Sequence, residues 1–390
     1  MPRPRSAAAA LLAASLFAVT FAVNLQAPLV PAYVAGTRME ATAAALSIAA
    51  YAAGLMPVLL CLGGLSDRIG RRLPLAAALL LGTAATLLLA LAPGWASLAA
   101  ARLLLGAGTG LATTAGAAYM AELAGPGREA RAALAVTSAT SLGFGGGALA
   151  TGTSLLLQGP SLMPASYWGY LMAAPLLALA CLRLPRADRP RRVPLLRRPV
   201  FPQGTAIFGT VLALSWASTG MTIAMVPLLL ARQGLGGWSG FVIFLALFTG
   251  FLCQPRARRM GNRAALSLGM CLIPPGFLAL LAGAALHSVP LVLAGTALTS
   301  ASSYGFTYLS ALSEVSQRAG EDRARAVAGL FVYAYGGFAI PVMAAGALAD
   351  RAGLLPAMAA FAAVQLVILA AAAWLARPGR GGAGRVLPVR

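Results

Sequence analysis

Twelve separate runs of about twenty apolar residues punctuate this chain, beginning near residues 7, 42, 73, 95, 132, 162, 204, 236, 264, 290, 326 and 354. A helix of about twenty residues spans the roughly 30 Å hydrocarbon core of a bilayer. Lipid offers no hydrogen-bond partner to a peptide group, so each run must satisfy its own backbone and can do so only as a helix. The chain as a whole agrees: 59% of its 390 residues are hydrophobic, 10% are charged, and the mean hydropathy is +0.82, well outside the range of soluble domains. The sequence predicts an all-α polytopic membrane protein with twelve transmembrane helices. Its start, MPRPRS and an Ala/Leu run, imitates a secretory signal. The apolar run continues through FAVNLQAPLVPAYV to about Gly36, which favours an uncleaved first span.

The charges fix an orientation. All 29 bases are arginines, set against nine acids for a net charge of +20. In a soluble chain that balance would suggest nucleic acid or an anionic surface. Here twenty-five arginines fall in the termini and in alternate connections, and only Arg38, Arg232 and Arg351 fall on the other side. Positive residues stay inside, so both termini are expected in the cytoplasm of a multi-pass inner-membrane protein. The charge is then a topology signal; lipids are the expected surroundings and nucleic acid is excluded as a partner. Cys61, Cys181, Cys253 and Cys271 are scattered without metal-ligand spacing and the sole histidine is His287, so neither a metal site nor a cofactor is expected.

The longest connection, PRADRPRRVPLLRRPVFPQG, begins at Pro185 and leaves six spans on each side. Proline and arginine without an apolar face mark a linker. The expected organisation is a six-helix bundle over 1–184, a cytoplasmic linker over 185–203, a second bundle over 204–376 and a tail over 377–390. An offset of 191 or 192 carries Gly70 onto Gly261, Arg72 onto Arg263, Glu122 onto Glu314, Glu129 onto Glu321 and Arg131 onto Arg323. One nearly constant offset across two different turns argues for duplicated, pseudo-symmetric bundles.

Between the second and third spans stands GGLSDRIGRR. Gly63, Asp67, Arg68, Gly70, Arg71 and Arg72 match a G-x-x-x-D-R-x-G-R-R signature, and on this motif, the twelve spans and the central basic linker the chain resembles the major facilitator superfamily over essentially its whole length. RLLLGAGTG, from Arg102 through Gly106 to Gly110, resembles the Arg-and-glycine signature of helix 4 in the drug- and metabolite-exporting branches. GFGGGALATG, with Gly143 and Gly147, is similar to the glycine-rich antiporter motif of exporters, except that Ala148 stands where that motif has proline. In span eleven, GGFAIPVMAAG carries Gly337 and the proline, Pro341. The glycines permit close helix packing.

The resemblance implies two bundles rocking about a central site. Asp67, at the end of helix 2, is then expected to hold the cytoplasmic mouth shut by facing the positive N-terminal end of helix 11 near residues 324–327. Arg71 and Arg72 are expected to pair with Glu122 or Glu129, and Glu314 with Arg323 in the other half; Arg131 belongs to the same turns. The alternative is that Asp67 only caps its helix and the arginines only set orientation. Arg258 occupies the position onto which Asp67 would map, so the two gates are not equivalent.

An arginine inside a span costs about 2.5–3.5 kcal/mol to insert, so Arg102 is expected to face protein or water: binding an anionic group, holding carbonyls of helix 1, or snorkelling to the interface. In the superfamily helices 1, 4, 7 and 10 line the cavity. They offer Asn24 and Gln26, Thr113, Trp216 and Thr219, and Tyr304 and Tyr308, a set suited to a small amphipathic organic solute. No acid lies deep in a span, which makes passive or substrate-exchange transport more credible; a proton stays open as a coupling partner by way of Glu40, Asp350 or Glu122 at the span ends. The expected function is secondary active or facilitative transport by alternating access, export of a drug-like compound or metabolite by a monomer. The alternatives are import of a sugar, organic acid or siderophore-type metal chelate, and remotely a polytopic membrane enzyme.

Overall fold

The computed structural model describes residues 3–185, 194–196 and 198–375; residues 186–193 and 197 of the expected linker and all of the expected tail lie outside them. The described residues are helical throughout, without a strand. In chain order the helices are α1 (Arg3–Leu25), α2 (Glu40–Cys61), α3 (Arg72–Leu91), α4 (Trp95–Ala124), α5 (Glu129–Gln158), α6 (Ala165–Leu182), α7 (Ala206–Arg232), α8 (Ser239–Arg258), α9 (Asn262–Ala285), α10, α11 (Arg323–Ala352) and α12 (Leu354–Leu375). A 3-10 turn (Ala27–Leu29) and a short helix (Val30–Val34) extend α1, and one helical turn (Leu65–Ile69) joins α2 to α3. That turn ends at Gly70 with φ +89°, a left-handed conformation in which only glycine is unstrained.

Among the described residues, eleven of the spans are helical stretches long and apolar enough to cross a membrane. The tenth, α10, is in three abutting pieces: α-helix Val289–Ser300, a π-helical segment Ala301–Thr307, and α-helix Tyr308–Arg318. Hydropathy anticipates this span but not its break. The segment reads ASSYGFT, and its hydroxyls turn back on the backbone: Thr307 Oγ1 donates to the carbonyls of Ser302 (2.9 Å) and Ser303 (3.0 Å), and Ser302 Oγ to Gly269 O of α9 (2.8 Å). Side chains that supply such bonds make a widened turn tolerable inside a membrane.

Lipid tails are as apolar as leucine, so helices here associate through close approach rather than water exclusion. Glycines provide it. A Cβ on Gly106 or Gly54 would run into the partner backbone across the α2–α4 contact, one on Gly110 would press on Val58, and those on Gly143 and Gly147 would meet the Phe17 and Phe21 carbonyls of α1. Gly337 of α11 lies in the same way on Ala213 of α7. Pro341 falls within α11, half-buried. The helix α7 is buried along nearly all its length, whereas α6 turns Met172, Leu176 and Leu179 outward.

The first six helices meet the last six along two seams. In one, α2 packs on α11, with Gly346 against Ala41 and Ala45; in the other, α5 packs on α8, where Gly152 faces Gly240 backbone to backbone. The internal repeat is visible in the turns: Arg71 donates to Glu122 Oε1 through Nε (3.1 Å) and Nη2 (2.9 Å), and at the equivalent place Asn262 Nδ2 donates to Glu314 Oε2 (2.8 Å).

Candidate functional site

Eight helices, α1, α2, α4, α5, α7, α8, α10 and α11, converge on a small central cavity of about 60 Å³. Asn24, Arg102, Trp216 and Tyr304 line it, joined by residues the sequence reading did not select: Ile48 and Tyr51 of α2, Phe144 of α5, Leu247 of α8, and Tyr335 and Phe338 of α11. The reading took only the first helix of each three-helix repeat, whereas the two seams bring α2, α5, α8 and α11 to the centre as well.

Arg102 is 2% exposed, so it does not snorkel. Its Nη1 donates to Val23 O (3.0 Å), one of the last carbonyls of α1, which has no partner further along the helix. Among the described residues Nε and Nη2 are buried without an acceptor. Gln26 Nε2 also donates to Val23 O (3.1 Å), which occupies Gln26 with the end of α1 and leaves it outside the cavity wall. Asn24 Nδ2 donates to Phe144 O (3.0 Å), tying α1 to α5.

Trp216 is the aromatic hub. Its ring lies 5.2 Å from Tyr304, 5.3 Å edge-on from Tyr335, 6.0 Å from Tyr308 and 6.3 Å from Phe338, distances at which tilted and edge-on aromatic pairs attract. Tyr335 in turn faces Tyr51 at 6.3 Å, bridging the two halves. Thr219 donates to Ser303 Oγ (3.0 Å) behind this wall, and Thr113 is exposed on α4; neither lines the cavity, and Tyr308 reaches it only through Trp216.

The two ends of the molecule differ. At the arginine-poor end both seams are closed. The carboxylate of Asp350, at the end of α11, accepts from the backbone N–H groups of Ala41 (Oδ1, 2.9 Å) and Thr42 (Oδ2, 2.9 Å), the free donors of the first turn of α2. Beside it Arg232 Nη2 pairs with Glu40 Oε2 at 3.2 Å. An apolar groove of about 630 Å³ flanks the α5/α8 seam here; neither it nor the vestibule at the opposite end shares a lining residue with the central cavity.

At the arginine-rich end a vestibule of about 610 Å³ lies between Ala133 of α5 and the ends of α8 to α11, where Arg258, Asn262, Ser310, Ser313, Gln317 and Arg323 line it. The signature turn is folded on its own half: Asp67 Oδ1 pairs with Arg71 Nη1 at 2.6 Å, and Arg71 also donates to Ser66 Oγ (2.7 Å). The pairing with Glu122 falls to Arg71. Arg72 instead donates to the carbonyls of Leu182 (3.0 Å) and Pro185 (3.4 Å) at the end of α6. Glu314 pairs with Arg318 (2.6 Å) and Asn262 rather than with Arg323, because Arg318 lies one turn further along the same helix. Glu129 accepts from Gly127 N (3.0 Å), and such backbone N–H donors hold its carboxyl below the ordinary range. Gly63 and Arg68 complete the turn, and Arg131 opens α5 on an exposed face.

A family profile described as Major Facilitator Superfamily matches residues 12–340. No curated protein matches the sequence. Among solved structures, the nucleoside transporter NupG is 15% identical, with a TM-score of 0.74 over 95% of this chain and 100% of that one. A bacterial homologue of the human lysosomal transporter Spinster, solved inward-facing and occupied, is 15% identical with a TM-score of 0.70 over 95% and 96% of the two chains. The human organic anion transporter MFSD10 is 18% identical with a TM-score of 0.64 over 95% and 99%. At these identities the structural likeness carries the fold alone; together with a profile match across most of the sequence, it makes this twelve-span chain a member of the major facilitator superfamily.

Proposed function

We propose that this chain carries a small organic solute across the cytoplasmic membrane by alternating access, in the direction of export. One observation supports the reading above others: a buried aromatic and polar cavity sits between a sealed arginine-poor end and an arginine-rich end that holds an open vestibule. With the arginine-rich end cytoplasmic, this is the inward-facing state of a rocking carrier. The vestibule is the loading mouth, and the Asp350 and Glu40–Arg232 contacts are the outer gate. The cavity is too small for a whole drug-sized solute, for which 300–1000 Å³ is usual, so the halves must part further to admit it. The signature turn acts in the opposite state. When the cytoplasmic mouth closes, Asp67 faces the start of α11, as Asp350 now faces the start of α2.

Uptake or substrate exchange is the second reading, favoured by two features: the glycine-rich stretch of α5 has Ala148 in place of the exporters' proline, and no carboxylate lines the central cavity. Reconstitution separates the two. Proteoliposomes loaded with a panel of fluorescent organic solutes are assayed for flux with and without an imposed proton gradient. Solute moving opposite to the proton flow supports coupled export, solute moving with the protons supports uptake, and flux that ignores the gradient excludes proton antiport. No flux of any solute, from protein shown to be folded and inserted, sinks the transport reading.

A further inference from the structure

We propose that the solute is an organic anion, bound by its carboxylate or an equivalent oxyanion at Arg102 and by an aromatic or apolar body against the Trp216 cluster. This rests on the transport reading and names the substrate class of the same cavity.

The argument starts from Arg102. A guanidinium carries five N–H donors in a planar fork, and burying such a charge unpaired is costly. Here one donor nitrogen is engaged by Val23 O, while Nε and Nη2, adjacent nitrogens of the fork, are buried in the cavity wall without an acceptor among the described residues. Two adjacent free donors are the arrangement that a carboxylate engages with both oxygens. No acid stands in the cavity wall to neutralise the guanidinium from within the protein. At about 60 Å³ the cavity matches a charged head group. The Nε1 of Trp216, another residue of the same wall, is likewise buried without a partner among the described residues.

A second observation points the same way. The vestibule at the arginine-rich end holds Arg258 and Arg323 with hydroxyls and amides but no carboxylate lining it, and among the described residues neither arginine is in an ion pair. The carboxylate bonded to its wall, Glu314, is engaged by Asn262 and Arg318. A walled basin of one sign concentrates ions of the other. The molecule therefore presents positive charge first at the mouth and again, buried, at the centre. A cationic solute would meet two repulsive stations and no counter-charge at either.

The test uses three probes that share one naphthyl body on the purified full-length protein: 2-naphthoate, 2-naphthamide and 2-naphthylmethylamine. Binding is followed by tryptophan fluorescence, with Trp216→Phe as the control that assigns the signal, and by thermal stabilisation. In the unaltered protein naphthoate is expected to bind at least tenfold more tightly than the amide, with the amine weakest. Arg102→Lys should retain part of that preference and Arg102→Gln should reduce it to less than threefold. Arg258→Gln with Arg323→Gln should slow naphthoate association about tenfold and flatten its salt dependence while leaving the equilibrium preference in place. Amide or amine binding as tightly as naphthoate, no binding of naphthoate at all, or a naphthoate preference untouched in Arg102→Gln would overturn the assignment. Flux separates the two claims: carriage of the amine or amide but not the acid keeps the transporter and removes the anion site. Arg102-dependent naphthoate binding with no flux of any solute keeps the site and removes the transporter.

Discussion

On the proposed alternating-access reading, replacing Asp350 with alanine should open the outer gate, and the contacts of its carboxylate set the size of the effect. The carboxylate accepts from two backbone donors of α2, each at 2.9 Å, and these N–H groups have no partner within their own helix. A hydrogen bond to a charged group contributes about 1.5–3 kcal/mol, and a carboxylate at a helix N-terminus about 0.3–1 kcal/mol more. The site is half-buried and water can take over both donors once the gate opens, so about 2–3 kcal/mol of the closed state's advantage is at stake. That corresponds to a shift of roughly 30- to 150-fold in the closed-to-open ratio. The neighbouring Glu40–Arg232 pair, at 54% and 34% side-chain exposure for Arg232 and Glu40, should contribute no more than about 1 kcal/mol. Arg232→Gln is therefore the weaker perturbation by a wide margin. Spin labels on the outer ends of α3 and α9, at Leu91→Cys and Leu286→Cys in a background without the native cysteines, report the outer separation in lipid nanodiscs. Asp350→Ala should move most of the distance distribution to the longer, outward-open population, and Arg232→Gln should move it a little. Equal distributions for Asp350→Ala and its parent, or a larger shift from Arg232→Gln, would refute the reasoning.

Asp67→Asn removes the acid that pairs with Arg71; transport should fall while expression and insertion stay normal, and unaltered flux at normal expression would remove Asp67 from gating. Gly337→Ala sets a methyl on the Ala213 backbone and should lower stability by about 1–3 kcal/mol, whereas Gly336→Ala meets nothing within 4 Å and should be neutral or stabilising by up to about 1 kcal/mol; thermal melts in detergent distinguish them. Glu129, whose folded-state carboxyl titrates below the ordinary 4.5, supports the start of α5 at neutral pH and loses that support only as acid takes the pH down through its folded-state value. Glu129→Gln should therefore lower the melting temperature equally at pH 6 and pH 8, with the difference fading under acid.

Spans, turns and the internal repeat were legible in the sequence because each rests on a property that survives without coordinates. Apolar length reports a bilayer crossing, and the constant offset from Arg72 to Arg263 reports a duplication; the structural pairs Arg71–Glu122 and Asn262–Glu314 occupy that same offset. The break in α10 was not legible, since hydropathy is blind to whether a turn closes on the fourth or the fifth residue. The cavity residues of α2, α5, α8 and α11 were missed for a different reason. Tyr51 stands in a run of small apolar residues and Tyr335 in an aromatic-rich stretch beside Tyr333 and Phe338; both were usable signals, but repeat logic directed attention to other helices. Asp350 looked like one more acid at a span end. Its importance depends on the start of α2, more than 300 residues away, lying within reach of its carboxylate.

The two seams also differ in how they can move. Where Gly152 meets Gly240, main chain lies on main chain, and two turns along the seam the Phe244 ring rests in the notch left by Gly145, so the contact there is made by packing without an ion pair or hydrogen bond to break among the described residues. The α2/α11 seam, by contrast, ends in a bond that must break. One side of the molecule thus resembles a bearing and the other a clasp, so releasing Asp350 would let the halves swing about the glycine contact like a door on its hinge rather than separate in parallel.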